Sequence, residues 1–238
     1  MSSNEPERII QKNISYHDEV AEEYNAIMDS HQPNQLIRQR VRDKFCSLVP
    51  HGRVLDFGGG TGLDLEWLTA SGYEVIFCEP SVAMRKKAME SSGATDKVRF
   101  LEDGQSDFST WEKAMPFAEK VDAILSDFGP LNYIPDIRQL FSNLSKVIRS
   151  GGNVVLLVLH LPFKKRWKWH RRNALATLLF GNTFRMYIPY KDHQQMVFVH
   201  TEKEIARAAA PWFSYGGIEL LAEHDFILIH LIRHEEAD

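Results

Sequence analysis

Apolar positions recur with two different periods along this chain, and the change of period predicts its elements. Over residues 16–28, Tyr16, Val20, Tyr24 and Ile27 fall at helical spacing, and Leu36, Ile37, Val41, Phe45 and Leu48 do the same over 35–48. Pro33 precedes the second helix and Pro50 ends it. Residues 1–12 are polar and are expected to be mobile. From Arg53 onward, short apolar runs alternate with helical stretches. Strands are predicted at 53–57, 74–78, 98–101, 121–126 and 153–160, and helices at 63–70, 82–89, 108–117 and 137–148. Ser150-Gly151-Gly152 is a helix-ending signal. The strand at 153–160 is continuously apolar, as expected of a strand buried on both faces.

Repeated strand–helix order predicts an α/β fold, with a parallel sheet covered by helices on both sides. The order breaks after His160. Residues 161–191 form a long stretch unlike the rest, and a strand follows at 196–200. Thr201 and Glu204 form a capping box for a helix reaching about Pro211. Two last strands, at 218–222 and 226–232, flank Glu223-His224-Asp225, a connection short enough for an antiparallel hairpin at a sheet edge.

The chain has 238 residues, enough for one large domain with a sizeable core. A net charge of −4 gives no global pull toward nucleic acid. Cys46 and Cys78, the two cysteines, are far apart and belong to no metal or redox motif, so neither a disulfide framework nor a metal is expected. No stretch approaches a membrane span, and the polar, acidic start is unlike a signal peptide, so a cytoplasmic location is expected.

The most informative stretch is 54–62, VLDFGGGTG. An apolar strand leads into an acid, a glycine-rich turn and a helix start, where free N–H groups suit a polar or anionic ligand. The dinucleotide fingerprint does not fit, because its third glycine position holds Leu63 or Leu65 according to register. A phosphate-cradling loop would need a lysine after Gly62, where Leu63 and Asp64 stand. The register that fits is D-x-G-x-G-x-G, through Asp56, Gly58, Gly60 and Gly62. This register resembles motif I of the class I S-adenosylmethionine (SAM) dependent methyltransferases, in particular the small-molecule type 11/25 group. The resemblance covers about residues 16–160 and the final strands. It implies a Rossmann-like, mostly parallel seven-stranded sheet with one antiparallel strand at its edge.

The resemblance also implies roles. Asp56, Gly58 and Gly60 lie beneath the amino-acid part of SAM, and Glu79 at the end of the second strand, followed by Pro80, holds the ribose. The physics matches that of an acid accepting from a diol in dinucleotide sites. Met84, one helical turn on, is a candidate for packing on adenine. Many relatives carry Gly-Asp-Ala after the third strand, and here the acid position falls on Gly104. Either Asp103 turns inward or the adenine edge is read by the backbone and Gln105. After the fourth strand, Ser126-Asp127-Phe128-Gly129-Pro130 departs from the Asn/Asp-Pro-Pro-aromatic run of nucleic-acid methylases. Ser126 and Phe128 are cofactor candidates there, and Asn132 and Tyr133 are substrate candidates. Tyr16, Ala21 and Tyr24 resemble a cofactor-closing helix, with one extra residue before the alanine. Residues 1–50 are thus expected to cover the cofactor site of a domain at 51–238, with a lid at 161–195.

The stretch 163–172, FKKRWKWHRR, holds six cations with two tryptophans, and no acid occurs between Asp136 and Asp192. It reads as a lid drawing in an anionic acceptor through Arg166 and Trp167, as a dock for an acidic protein, a membrane surface or nucleic acid, or as a solvated face. A histidine suits proton removal from an oxygen or nitrogen acceptor. His160, at a strand end, is the first candidate and His17 the second, followed by His193 and His200. The expected activity is methyl transfer from SAM to an oxygen or nitrogen of a small molecule. An RNA or protein methyltransferase and a non-catalytic SAM-binding protein are the alternatives.

Overall fold

The computed structural model describes residues 5–29, 32–93, 95–180, 183–190, 193–221 and 225–235. Three helices come first, α1 (Glu5–Val20), α2 (Tyr24–Asp29) and α3 (Gln32–Leu48). The alternating region contains β1 (Arg53–Phe57), α4 (Leu65–Ala70), β2 (Glu74–Cys78), α5 (Val82–Ser92), β3 (Val98–Phe100), α6 (Asp103–Ser106), β4 (Val121–Ser126), α7 (Ile137–Val147) and β5 (Ile148–Leu159). Short 3-10 helices occupy Phe108–Glu112 and Pro130–Tyr133. The remainder is α8 (Phe163–Trp169), α9 (Arg171–Phe180), β6 (Phe184–Tyr190), β7 (His193–Val199), α10 (Glu202–Ala209), β8 (Phe213–Leu221) and β9 (Phe226–Arg233).

Seven strands form one sheet in the order β3-β2-β1-β4-β5-β9-β8. Strands β1 to β5 run parallel, and β9 runs against both β5 and β8, so it is the single reversed strand expected on this side of the sheet. The sheet is covered on both faces. Leu55, Ile124, Val154 and Ile229 pack with α7 residues such as Phe141 and Leu144. Val54, Val75, Ala123 and Val155 pack on the opposite face with Val41 and Phe45 of α3. Alternate residues of the same strands thus feed two cores, as strand periodicity requires. The chain leaves β1 toward β2 on one side and is flanked by β4 on the other. The crevice above this reversal is where open α/β sheets place ligands.

Several expectations are corrected. Residues 5–12 are helical rather than a mobile tail, and α1 stops at Val20, four residues before Tyr24 starts α2. Asn13 is a buried residue of α1, and its contacts are hydrogen bonds, which an apolar period cannot register. The helix expected at 108–117 is only the 3-10 turn, started by Asp107 accepting from Ser109 N–H at 2.9 Å. Helix α4 begins at Leu65 rather than Leu63. At 150–152 the chain is already within β5, where the pairing to β4 shifts register between Val121 and Ala123 and Gly151 takes a positive φ of 71°.

The stretch 161–191 contains helices α8 and α9 and then β6, which pairs antiparallel with β7 in a separate two-stranded sheet. Pro189 obscured β6, since proline is tolerated only where a strand needs no N–H donor. Strand β7 begins at His193, three residues earlier than expected, and His200 lies beyond it. Strand β8 starts at Phe213, and a register irregularity between Tyr215 and Gly217 breaks its pattern. Residues 223 and 224 of the expected hairpin connection, and residue 222 at the end of the expected strand, lie outside the described residues. The Thr201–Glu204 capping box is present on α10.

Candidate cofactor site

Strand β1 delivers the chain into the glycine turn at the crevice. Gly58 has φ 73° and donates its N–H to Cys78 O at 2.8 Å. A Cβ on Gly58 would lie 2.5 Å from Pro130 Cγ, so glycine is required by both conformation and space. Gly60, φ 59°, points its N–H at Glu79 Oε2, 3.0 Å away. The other Glu79 oxygen accepts from Ser81 N–H at 2.8 Å. Two backbone donors therefore fix this buried carboxylate. Burial pushes its pKa up to about 7, while the two N–H groups and Arg85 pull the other way.

Beneath the turn, Arg38 of α3 meets a group of acids. Its Nη1 donates to both carboxylate oxygens of Asp64 at 2.8 Å and lies 3.6 Å from Asp127 Oδ2. Asp127 Oδ1 accepts from Phe128 N–H at 2.8 Å, whereas its buried Oδ2 makes no hydrogen bond. The buried Oδ2 of Asp56 makes none either. Burial, with Asp64 close by, holds both carboxyls well above the usual range. Phe128 adopts φ 51°, a conformation unfavourable for a bulky residue, beneath the Arg38 guanidinium 4.8 Å from its ring centre.

These features border a cavity of about 430 Å³, within the range of small-molecule sites. Its floor includes Gly58, Gly60, Glu79, Pro80, Met84 and Phe128. Tyr24, Asp103 and Gly104 also line it. Asp103 is ion-paired to Arg85, whose other nitrogen donates to Glu79 O at 2.7 Å. The remaining wall is α1, through Ile10, Ile14 and His17, facing Phe108, Tyr133 and Ile134. Among the lining residues the acidic side chains are Asp18, Glu79, Asp103, Asp107 and Asp127, with no lysine or arginine.

Helix α1 is held over the cavity at two points. Asp18 Oδ1 accepts from Ser81 Oγ at 2.6 Å and Ala83 N–H at 3.0 Å, at the start of α5. Asn13 donates to Met196 O at 3.0 Å and to Tyr133 O at 3.3 Å, and accepts from Met196 N–H at 3.0 Å. One turn on, His17 Nδ1 sits 2.8 Å from Asn13 O, the partner expected of an Nδ1–H, which leaves the lone pair on Nε2. That Nε2 lies 3.2 Å from the Gln195 amide nitrogen. Burial lowers the His17 pKa, keeping the ring neutral near pH 7. The ring meets Tyr133 edge-on at 5.0 Å.

Other expected residues stand outside this cavity. Asp56 and Ser126 are buried at their strand ends behind it. Tyr16 packs against Val20, Ala21 and Met84. The Gln105 side chain turns back to accept from Glu102 N–H at 3.3 Å. Asn132 is buried, donating to Phe198 O at 2.8 Å and accepting from Leu159 N–H at 2.8 Å, so it ties β5 to β7 rather than facing a substrate. His160 is half-buried beyond β5, its backbone N–H on Asp225 O at 2.7 Å, and it does not border the cavity. Arg166 is buried, donating to Leu161 O at 2.6 Å with its guanidinium over Phe184, and Trp167 is exposed against Phe163. His200 is buried with Nε2 3.3 Å from Ile134 O. The side chain of His193 lies outside the described residues.

Residues that sequence reasoning missed are Asn13, Asp18, Arg38 and Asp127. Asp18 and Arg38 carried a weak signal as charges on otherwise amphipathic helices. Asp127 adjoins Ser126 and Phe128, and the strand-end rule extends to it.

A methyltransferase domain family model matches residues 28–210 of the chain. Two curated relatives are named demethylmenaquinone methyltransferase. The one from Clavibacter sepedonicus is 28% identical over 111 residues, 46% of this chain and 42% of that protein. The one from Corynebacterium urealyticum is 26% identical over 130 residues, 54% and 50% respectively. The chain thus matches half or less of the length of these relatives. Among solved structures, the DhpI complex with S-adenosylhomocysteine (SAH) has a TM-score of 0.65 at 19% identity, covering 96% of this chain and 98% of that one. The Burkholderia thailandensis 1,6-didemethyltoxoflavin-N1-methyltransferase has a TM-score of 0.67 at 15% identity, covering 97% and 91%. These two likenesses extend the fold across nearly the whole chain, and the family model covers the sheet side of the cavity but not α1 or Tyr24. The chain belongs to the class I SAM-dependent methyltransferase family.

Proposed function

We propose that the cavity binds SAM along the ends of β1, β2 and β4, and that this chain directs the methyl to an oxygen or nitrogen of a small acceptor beneath α1. The observation that carries the reading is the acidic character of the lining, five carboxyl groups and no lysine or arginine. SAM supplies a sulfonium-activated methyl and brings an ammonium group and a ribose diol. Those groups suit the carboxylates present. Glu79, pinned by two backbone N–H groups, has further lone pairs for the diol hydroxyls. Asp127, whose buried Oδ2 makes no hydrogen bond and lies 3.6 Å from Arg38 Nη1, is the acid for the ammonium. Met84 and the backbone at Gly104 border the adenine end, next to the Arg85–Asp103 pair.

The same lining disfavours an anionic acceptor. A neutral or cationic molecule with an apolar body fits the wall made by Ile10, Ile14, Ile134 and Tyr133. The relatives named for demethylmenaquinone and 1,6-didemethyltoxoflavin are in keeping with a small acceptor. His17, neutral and with its lone pair on Nε2, takes the acceptor proton, replacing its contact with Gln195. Asn13 holds the ring in that tautomer through its carbonyl.

The test is labelled-methyl uptake across a panel of neutral, cationic and anionic metabolites, with calorimetry of SAM and SAH. His17→Gln should lower turnover by roughly 10²- to 10⁴-fold while SAM affinity stays the same. Unchanged turnover would remove His17 as the base. Absence of binding by either SAM or SAH would overturn the cofactor assignment.

A further inference from the structure

The basic stretch that stands out in the sequence does not serve the cavity, and its six cations divide into two groups. Arg166 and Lys165 are used inward. Arg166 donates to Leu161 O and lies over Phe184, and Lys165 pairs with Asp225 at 2.5 Å. Lys165 thus ties α8 to the start of β9, while Arg166 with Leu161, Ala174, Phe184, Val197 and Val199 fastens α8 and α9 onto the β6–β7 sheet. Lys164, Lys168, Arg171 and Arg172 are exposed, and none pairs with an acid among the described residues.

Beside these four cations the outer face is apolar. Phe163 and Trp167, one turn apart on α8, are exposed with their rings 5.9 Å apart. On α9, Leu175, Leu178 and Leu179 follow Arg171 at helical spacing, and Leu178 and Leu179 are 67% and 66% exposed. Large apolar side chains grouped on one exposed face mark an interaction surface. A basic cluster beside two aromatic rings would also suit single-stranded nucleic acid. However, a nucleic-acid dock has no use for three adjacent exposed leucines, whereas the bilayer interface takes leucine and tryptophan with lysine and arginine at its margin. No described helix is long and apolar enough to cross a membrane, so the contact is peripheral.

We propose that α8 and α9 dock on the surface of an anionic lipid bilayer. Phe163, Trp167, Leu175, Leu178 and Leu179 enter the headgroup boundary, and Lys164, Lys168, Arg171 and Arg172 reach acidic headgroups. Long basic side chains can lie along apolar surface and keep their charge at the polar margin. The chain as a whole carries −4, so attraction must come from this local cluster.

The test is sedimentation of the full chain with phosphatidylcholine vesicles and with vesicles containing about one-third phosphatidylglycerol. Binding should be confined to the anionic vesicles and should weaken as salt rises. Removing each of Lys164, Lys168 and Arg171 should weaken it by about fivefold. Leu178→Ser with Leu179→Ser should abolish sedimentation while SAM affinity, measured alongside as a check on folding, is unchanged. Vesicle-induced change in tryptophan fluorescence should disappear in Trp167→Phe. No binding of the unaltered chain to anionic vesicles, equal binding to neutral ones, or an unaffected leucine variant would each overturn the proposal. So would salt-dependent capture of single-stranded RNA without vesicle binding.

Discussion

The cavity has two walls built by different rules. The sheet side is assembled from consecutive pieces of chain at the ends of neighbouring strands. Gly60 and Glu79 are 19 residues apart and joined by backbone-to-carboxylate contact. The helix side is assembled from the extremes of the sequence, where Asn13 of α1 meets Met196 of β7 across 183 residues. The sheet wall is fixed by parallel pairing on both sides of β1. The helix wall is held by a few polar side chains and by limited apolar packing, Val20 against Met84 and Ile10 against the sheet core. Such a wall can open by breaking those bonds without disturbing the sheet, which suits a site that must admit one molecule and release another. The two walls therefore predict different failures when altered.

The severest failure should come from the sheet wall. Gly58→Val forces a β-branched residue into φ 73° and against Pro130. The positive φ alone costs of order 1–3 kcal/mol, and the overlap adds to it. We expect SAM affinity to fall by at least about a hundredfold. Calorimetry would measure this, with circular dichroism to check that the sheet is retained. Affinity within a few-fold of the unaltered chain would show that the turn is not pressed against the ligand.

Glu79 gives a titratable version of the same comparison. Burial raises its pKa to about 7, so below that pH the ligand-free protein holds a proton on this carboxyl. A diol is accepted best by the ionised form. SAM affinity should therefore rise with pH up to about 7 and then level off, with a slope of up to about tenfold per unit below it. Binding below pH 7 should release a proton, visible as a dependence of calorimetric heat on buffer ionisation. The effect on the unbound fold has the opposite sign. A raised carboxyl pKa stabilises the protonated native form at low pH, and that contribution is lost as pH rises from the unfolded value toward about 7. Glu79→Gln should flatten the binding profile. A profile equally steep in that variant would shift the titration to another group, such as Asp127.

The sequence revealed these two walls unequally, for the same physical reason. Gly58, Gly60 and Glu79 were found because strand, turn and acid are contiguous, and their spacing is tied to a local backbone path. The order of elements likewise revealed the parallel sheet and its reversed strand. Asn13 was hidden, because a polar residue on a polar helix has no periodic signal and its burial depends on a distant strand. The strand-end rule favours His160 over His17 because it treats the sheet as the whole site, while it is α1 that brings a histidine to the cavity lining. Charge alone does not distinguish Arg166, buried over Phe184, from a side chain that faces a cavity.

A milder effect is expected at the helix wall. Asn13→Ala removes two donated bonds and one accepted bond that join α1 to Met196 and Tyr133. It leaves buried backbone groups of β7 unpaired, at a cost of about 1–3 kcal/mol. Global unfolding should move by less than that, because the seven-stranded sheet is held mainly by its own pairing and by the cores under α3 and α7. Hydrogen exchange should show faster opening in α1 and β7 only, and the SAM off-rate should rise by roughly ten- to a hundredfold. Protection lost evenly across β1 and β4 would mean that the two walls fold as one unit.

The smallest effect is expected where charge is most conspicuous. Lys164 is exposed on α8, and the cavity lining includes no residue of α8 or α9. Its exposure opens any interaction with the crevice to screening by salt over a Debye length of about 8 Å. Lys164→Ala should therefore change SAM affinity by less than about twofold, against the hundredfold of Gly58→Val. A change of tenfold or more at moderate salt would require the insert to close over the crevice. The helix wall would then extend beyond α1 to include α8, and the acidic lining would face a cationic cover rather than open solvent.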